Sequence, residues 1–173
     1  MNRGLLAIGA TIVALALPAA AAANPQYWGG PIEDLPTASI TYKVNSHGAV
    51  KDVRYLVKLK CRYKGGEPGA NSRLSSGFYR PKTTATGFKD KTKKPFGAGQ
   101  GFIAQKIEGN VIGTAANGFL KAKLRYPDPR HGDRIRICHT NKQNWKAAPM
   151  RFGDWKDLRD GPFQRGSSAA VIP

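Results

Sequence analysis

Three segments of the sequence carry lysine or arginine in alternation with mainly apolar residues. The basic residues are Arg54, Lys58, Lys60 and Arg62 in the first segment, Lys121, Lys123 and Arg125 in the second, and Arg134 and Arg136 in the third. Alternate side chains of a β-strand repeat at about 6.7 Å, close to the spacing of anionic groups along an extended polymer. If the three strands are neighbours, their charges merge into a face that attracts polyanions. The sequence therefore predicts polyanion binding, and the alternative is a solvated face that keeps the protein soluble.

The charge balance favours the polyanion hypothesis. The chain of 173 residues has 28 Lys and Arg against 11 Asp and Glu, a formal net charge of +17. Solubility of a small domain requires a net charge of only about 2 to 8. Aromatic residues that could stack on bases are few outside the expected core, so we do not expect sequence-specific recognition of nucleic acid.

The acid and base side chains offer one further chemistry, the cleavage of phosphodiesters. A secreted basic nuclease needs a histidine with a carboxylate or a second histidine, and Glu108 could serve with His131 or His139. Their spacing gives this pairing no support, and the sequence contains no motif for a catalytic serine, a zinc protease or a phosphate loop. We therefore expect a protein without catalysis, cofactor or metal, and a nuclease is the least favoured alternative.

Cys61 and Cys138 are the two cysteines of the chain. An even pair of cysteines in an exported protein indicates one disulfide bond. A free thiol is one alternative. A metal site that uses the adjacent His139 is another, but it would need further ligands.

Residues 1–23 have the organisation of a secretory signal peptide. A short region with Arg3 precedes an apolar stretch at 5–17, and a run of alanines ends at Ala23. The apolar stretch is short for a membrane span, which needs about 20 residues, so an anchor helix is the weaker alternative. We expect cleavage after Ala23 and a secreted or envelope-associated protein. Its net charge becomes +16, because Arg3 is the one charged side chain that cleavage removes.

The basic segments lie in a chain with the two-residue period of β-strands and with turn residues at short intervals. Strands are expected at 38–44, 53–63, 73–80, 101–108, 110–115, 118–126, 134–138 and 145–147. The first two form a hairpin, residues 82–100 form a long mobile loop or a poorly formed edge, and Asn117-Gly118 marks a turn. The pattern predicts an all-β fold, an antiparallel two-sheet β-sandwich, with a small β-barrel as the alternative.

The expected domain boundaries follow from the same pattern. Residues 24–37, which prolines and glycines interrupt, are expected to form an N-terminal arm in front of the regular structure. Residues 38–148 form the β-sandwich domain, and residues 149–173 form a loosely ordered C-terminal tail. No helix is expected.

The order of motifs resembles an uncharacterised group of secreted bacterial domains found especially in actinobacteria. The resemblance covers residues 38–148. It rests on the hairpin with NSHGAV and VRYLVKLKC, on I-x-G-x-V-x-G-T at 107–114 and on C-x-T-x-x-x-x-W-x-A at 138–147. It implies a secreted β-sandwich with one disulfide and no assigned reaction, so no catalytic residue is carried over. The density of lysines and the segment after Met150 depart from that group.

The sequence as a whole predicts an exported, non-catalytic protein whose basic sheet face contacts an anionic envelope or extracellular polymer. The alternative function is a protein–protein interaction module of the cell envelope, with residues 82–100 and 151–173 as its contact surfaces. No transmembrane segment is expected in the mature chain.

Overall fold

A computed structural model describes residues 25–32, 35–96, 99–160 and 170–172. Residues 1–23, where the sequence predicts a signal peptide, lie outside this part of the chain. The strands are β1 Gln26–Ile32, β2 Leu35–Val44, β3 Val50–Tyr63, β4 Pro68–Phe78, β5 Lys82–Thr84, β6 Gly87–Phe96, β7 Gly101–Ile112, β8 Ala115–Asp128, β9 Arg134–His139, β10 Gln143–Met150 and β11 Ala170–Ile172. A 3₁₀ turn, Pro129–His131, precedes β9, and one helix, α1 Phe152–Asp160, follows β10.

The strands form one antiparallel sheet that folds into two facing layers. Its hydrogen-bonded order is β11-β4-β3-β2-β1-β10-β8-β7-β6-β5. Strand β9 pairs with both β3 and β8, so it joins the two layers opposite the side where β1 pairs with β10. The closed ring of strands surrounds the core. The all-β, antiparallel, sandwich-like fold predicted from the sequence is confirmed.

The core forms because apolar residues occupy every second position of the long strands. In β3, Val53, Tyr55, Val57 and Leu59 are at most 1% exposed, whereas Lys58 between them is exposed. The facing layer contributes Phe88, Ile103, Ile107, Leu120, Leu124 and Trp145. The Tyr55 hydroxyl donates a hydrogen bond to Gln105 of that layer, so a polar contact fixes how the two layers align.

A pair of glycines makes room for Trp145 in the core. Gly109 of β7 lies opposite Gly118 of β8, and an added Cβ atom would stand 2.7 Å from the Trp145 ring at the first position and 2.5 Å at the second. Gly118 therefore lies inside a strand, and the expected turn at Asn117-Gly118 is wrong. The segment 101–126 forms two strands and not three, with the turn at Gly113, which has a φ of 58°.

The first hairpin is confirmed, but the expected N-terminal arm is not. Strands β2 and β3 pair around the turn at 45–48. Residues 26–32 form β1, which pairs with β2 and β10. The Trp28 indole is 1% exposed and stacks on Tyr42 with 5.8 Å between ring centroids. The expectation that regular structure begins after residue 37 is wrong, because buried aromatic contacts outweigh the glycines and prolines of this segment.

Residues 82–96 also have regular structure. Strands β5 and β6 form a hairpin at one end of the sheet, and β6 pairs along its whole length with β7. The expectation of a long loop is therefore wrong. The alternative expectation, a sheet edge, agrees with the position of β5 at the end of the sheet.

Regular structure continues after residue 148. Strand β10 continues to Met150, and α1 packs against β1 and β2. Trp155 of α1 is 2% exposed, and its ring lies 4.9 Å from that of Tyr27. The expectation of a loosely ordered tail without a helix is wrong for this part. Residues 161–169 lie outside the described residues. Beyond them, β11 pairs with β4.

Candidate anion-binding face

The register of the strands decides which basic side chains share a surface. Residues directly opposite each other in antiparallel strands point to the same side of the sheet. His139 of β9 lies opposite Lys60 of β3 on one side and opposite Lys123 of β8 on the other. The next row consists of Arg62, Ile137 and Arg125. Strand β9 therefore joins the basic stripes of β3 and β8 into one surface.

The same surface continues across β7 and β6. Lys121 lies opposite Lys106, which lies opposite Lys91. The exposed basic residues on this side are called the basic face: Lys58, Lys60, Arg62, Lys89, Lys91, Lys93, Lys106, Lys121, Lys123 and Arg125. Lys82, opposite Lys89, and Arg73, opposite Lys58, extend the two ends of the face.

Glu108 is the one carboxylate that the described strands place among these cations. Its Oε1 atom lies 2.7 Å from Nζ of Lys106. This hydrogen bond, with the charges of Lys106, Lys89 and Lys142, lowers the pKa of Glu108, although desolvation acts in the opposite direction. A single ionised carboxylate leaves the basic face with a large surplus of positive charge.

Two half-buried phenylalanines lie on the same side of the sheet as the cations. The Nζ atom of Lys93 is 4.7 Å from the ring centroid of Phe102. The Nζ atoms of Lys106 and Lys142 are 5.1 Å and 4.9 Å from that of Phe119. Such cation–π contacts hold the ammonium groups over the rings and pack the aliphatic stems on the sheet.

Arg134 and Arg136 project from the opposite side of β9. Arg136 donates hydrogen bonds to the Asp128 carboxylate at 3.4 Å and to the Ser72 hydroxyl at 3.2 Å. Arg134 forms an ion pair with Glu67. Both guanidinium groups have acidic partners away from the basic face, so the expectation that they share a surface with the other two stripes is wrong.

Asp128 is the centre of a polar network on that other side. Its carboxylate accepts hydrogen bonds from the Tyr63 hydroxyl at 3.0 Å and from the Arg130 backbone N–H at 3.2 Å, and it lies 3.2 Å from Nδ1 of His131. Desolvation raises the pKa of Asp128, but these hydrogen bonds outweigh it and hold the pKa below its ordinary value. The network fastens the 3₁₀ turn to β3.

Arg54 lies on the same side of β3 as the basic face but at the far end of the strand. It is four residues from Lys58, the nearest member of that face on β3, about 13 Å along a strand. Its Nε atom lies 3.1 Å from Oδ1 of Asp52, and Oδ2 of Asp52 lies 4.0 Å from Nη1 of Arg159 in α1. Arg54 therefore belongs to a charge cluster near the helix and is separate from the basic face.

The structure does not bring Glu108 together with either histidine of the nuclease alternative. His131 lies on the other side of the sheet beside Asp128. His139 is on the same side as Glu108, but two strand spacings and four residues along the strands separate them, about 16 Å. Within the described residues, no group of three or more His, Cys, Asp or Glu could hold a metal ion.

The predicted disulfide between Cys61 and Cys138 is confirmed. The two cysteines lie directly opposite each other in β3 and β9, with 4.0 Å between their Cα atoms, and Cys138 is fully buried. Their chain neighbours lie in two rows across β3, β9 and β8, which are called the central rows of the basic face. One row is Lys60, His139 and Lys123, and the other is Arg62, Ile137 and Arg125. The bond therefore fastens β9 to β3 directly behind that face.

Lys89, Lys91 and Lys93 of the basic face fall in the segment that the sequence pattern indicated as a loop. Their spacing of two residues is the same signal that revealed the stripes in β3 and β8. The signal is harder to recognise in β6 because the intervening residues are mostly polar, and Phe88 is the large side chain that this strand buries.

Comparison of the chain with protein-family models, with curated proteins and with solved structures gives no match. In the described part of the chain, no helix is long and apolar enough to cross a membrane.

Proposed function

We propose that the protein is exported, has no catalytic activity and binds anionic polymers of the cell envelope or the extracellular space through its basic face. The observation that carries the proposal is the row of Lys91, Lys106 and Lys121 on three neighbouring strands. Like charges directly opposite each other destabilise a sheet. Glu108 offsets part of this repulsion through its ion pair with Lys106, and an anionic ligand would offset the rest on binding.

The dimensions of the basic face favour a polymer over a small anion. From β6 to β3 the face crosses four strand spacings, about 19 Å, and its cations on β8 extend over about 13 Å. The charges are on exposed side chains. A chain with anionic groups at regular intervals can contact several of them at once, and the release of its counterions makes such binding strongly dependent on salt.

The contacts expected from this face do not depend on sequence. Phe102 and Phe119 are the aromatic rings among the cations, and lysine ammonium groups already lie over both. Base stacking, on which proteins that bind single strands depend, is therefore disfavoured. The expected ligand is recognised by the charge and spacing of its anionic groups.

Export is supported by two features of the chain. Residues 1–23 have the pattern of a signal peptide. The chain also has a buried disulfide, which is typical of proteins that fold in an oxidising compartment. A β-sandwich with one disulfide is also what the resemblance to secreted actinobacterial domains implies, so that resemblance supports the same proposal.

Charge reversal in the two central rows tests the proposal. The test variant replaces Lys60, Arg62, Lys123 and Arg125 by Glu. A control with the same change in net charge replaces Arg80, Lys94, Arg151 and Lys156, which are exposed residues outside the basic face. Affinity for a fluorescent heparin oligosaccharide and for single-stranded DNA is measured from 50 to 300 mM salt, and thermal melting verifies that each variant folds.

The test variant should bind at least about 100-fold more weakly at low salt. Its salt slope on single-stranded DNA should decrease by about 0.7 for each phosphate that the protein no longer neutralises. The control should retain most of both quantities, because screening limits the influence of distant charges. An equal decrease of affinity in the two variants would show that net charge and not this face governs binding, and would overturn the proposal.

A further inference from the structure

His139 occupies the centre of the basic face. It is half-buried, and its direct neighbours across the strands are Lys60 and Lys123. His131, in contrast, lies on the other side of the sheet with Nδ1 3.2 Å from the carboxylate of Asp128. The two histidines therefore differ in the sign of the charges that surround them.

All charged side chains that face His139 from the two adjoining strands are positive. They are Lys58, Lys60 and Arg62 from β3 and Lys121, Lys123 and Arg125 from β8. Glu108, on the same side of the sheet, is about 16 Å away by strand spacing and is paired with Lys106. No described carboxylate of these strands is placed to pair with a protonated His139.

We infer that His139 is the centre of a subsite for one sulfate or phosphodiester group of the polymer, and that protonation of its imidazole strengthens binding there. The inference rests on the proposed function. An imidazole changes its charge between about pH 5 and 8. A bound oxyanion shared by His139, Lys60 and Lys123 is stabilised further by a proton on the imidazole, so binding favours proton uptake at His139.

The direction of the effect follows from this linkage. At a pH above the range in which imidazole titrates, the anion contacts the lysines and arginines of the two central rows. At a pH below that range it also contacts the positive charge of the protonated His139 between them. One more unit charge at about 4 Å in water corresponds to an affinity gain of roughly fivefold. Affinity should therefore increase as the pH falls from 7.5 to 5.5.

The test requires ligands whose own charge is constant in this range. Sulfate esters and phosphodiesters meet this condition, whereas a phosphate monoester titrates near pH 6. Binding of a heparin oligosaccharide and of single-stranded DNA is measured by calorimetry at pH 7.5, 6.5 and 5.5, in two buffers with different ionisation enthalpies so that proton uptake is counted. The proteins are the wild type, His139→Gln and the control His47→Gln. His47 is exposed in the turn at 45–48.

The wild type and His47→Gln should bind about fivefold more tightly at pH 5.5 than at pH 7.5, and at pH 6.5 they should take up a fraction of a proton on binding. His139→Gln should bind both ligands with an affinity that does not change with pH. A gain with heparin alone or with DNA alone would assign the subsite to sulfate or to phosphodiester. Equal gains in wild type and His139→Gln, or no gain in either, would refute the subsite while leaving the proposed function intact. Equal affinities of the charge-reversal variant and its control would instead refute the proposed function.

Discussion

Removal of the disulfide should destabilise the protein and loosen β9 in particular. The perturbation is the double replacement Cys61→Ala and Cys138→Ala, with reduction of the wild type as a second route to the same state. The bond joins residues separated by 77 positions in sequence. Loss of such a constraint on the unfolded chain costs about 4.5 kcal/mol of stability. For a domain of this size the melting temperature should decrease by roughly 10 to 20 °C.

The effect on the native state should be local. Strand β9 is six residues long and is held by its pairing with β3 and β8. Without the covalent link, the β3 side depends on backbone hydrogen bonds and on the packing of nearby residues. Amide hydrogen exchange should therefore increase most in β9 and in the facing end of β3, and least in β7, which is paired along its length on both sides.

Opening at β9 should also weaken ligand binding. The two central rows of the basic face exist because β9 lies between β3 and β8, so an open ring separates Lys60 and Arg62 from Lys123 and Arg125. Affinity for heparin should decrease at temperatures well below the melting point. Thermal melting, hydrogen exchange with mass spectrometry and heparin binding of the same samples measure the three effects.

Two results would refute this reasoning. A melting temperature within about 2 °C of the oxidised wild type would show that the loop closed by the bond is already restrained in the unfolded chain. A uniform increase of exchange over all strands would show that β9 is not the site of opening. The wild type incubated without reductant is the control for both.

Four further predictions concern the core, the polar network and the N-terminus. Gly118→Ala should destabilise the protein by about 1–3 kcal/mol, because its Cβ would meet Trp145. Gly153→Ala in α1 has open space around its Cβ and should be neutral or stabilising. Urea unfolding measures the stability of both variants. Because the folded-state pKa of Asp128 is lowered, its ionised carboxylate stabilises the fold above the unfolded pKa of about 3.9, and this stabilisation is lost as the pH falls below that value. In Asp128→Asn, the free energy of unfolding should therefore decrease less steeply at acid pH. A pH dependence of stability parallel to that of the wild type would contradict the prediction. In an exporting host, the intact mass of the secreted protein should correspond to cleavage after Ala23, and a retained N-terminus would contradict the signal peptide.

The elements that could be predicted from sequence are those with strong local patterns. Strand β3 alternates buried and exposed residues from Val57 to Tyr63, and β8 does so from Leu120 to Arg125. Strand β1 and helix α1 have weak local patterns and depend on distant partners instead. Trp28 packs on Tyr42, and Trp155 packs on Tyr27. Tertiary contacts of this kind override local propensity and are not visible in the segment itself.

The basic face was predictable in its parts but not in its assembly. The alternation of Lys and Arg in β3 and β8 is visible in the sequence, whereas the position of β9 between them is a property of the sheet order. The register of β9 also determines which of its side chains point to the basic face. A shift by one residue would exchange Ile137 for Arg136 on the basic face and move the arginines away from Asp128. Long-range pairing, which the sequence pattern does not report, therefore decides which arginines face a ligand.

The row of Lys91, Lys106 and Lys121 has a consequence for the folded protein in the absence of any ligand. Repulsion among these ammonium groups opposes folding, and dissolved ions screen it. Added salt should therefore raise the melting temperature of the free protein, while the same salt weakens its hold on a polyanion. Dissolved anions and the ligand compete for the same ammonium groups, so the ligand should stabilise the fold most where the surrounding medium is most dilute.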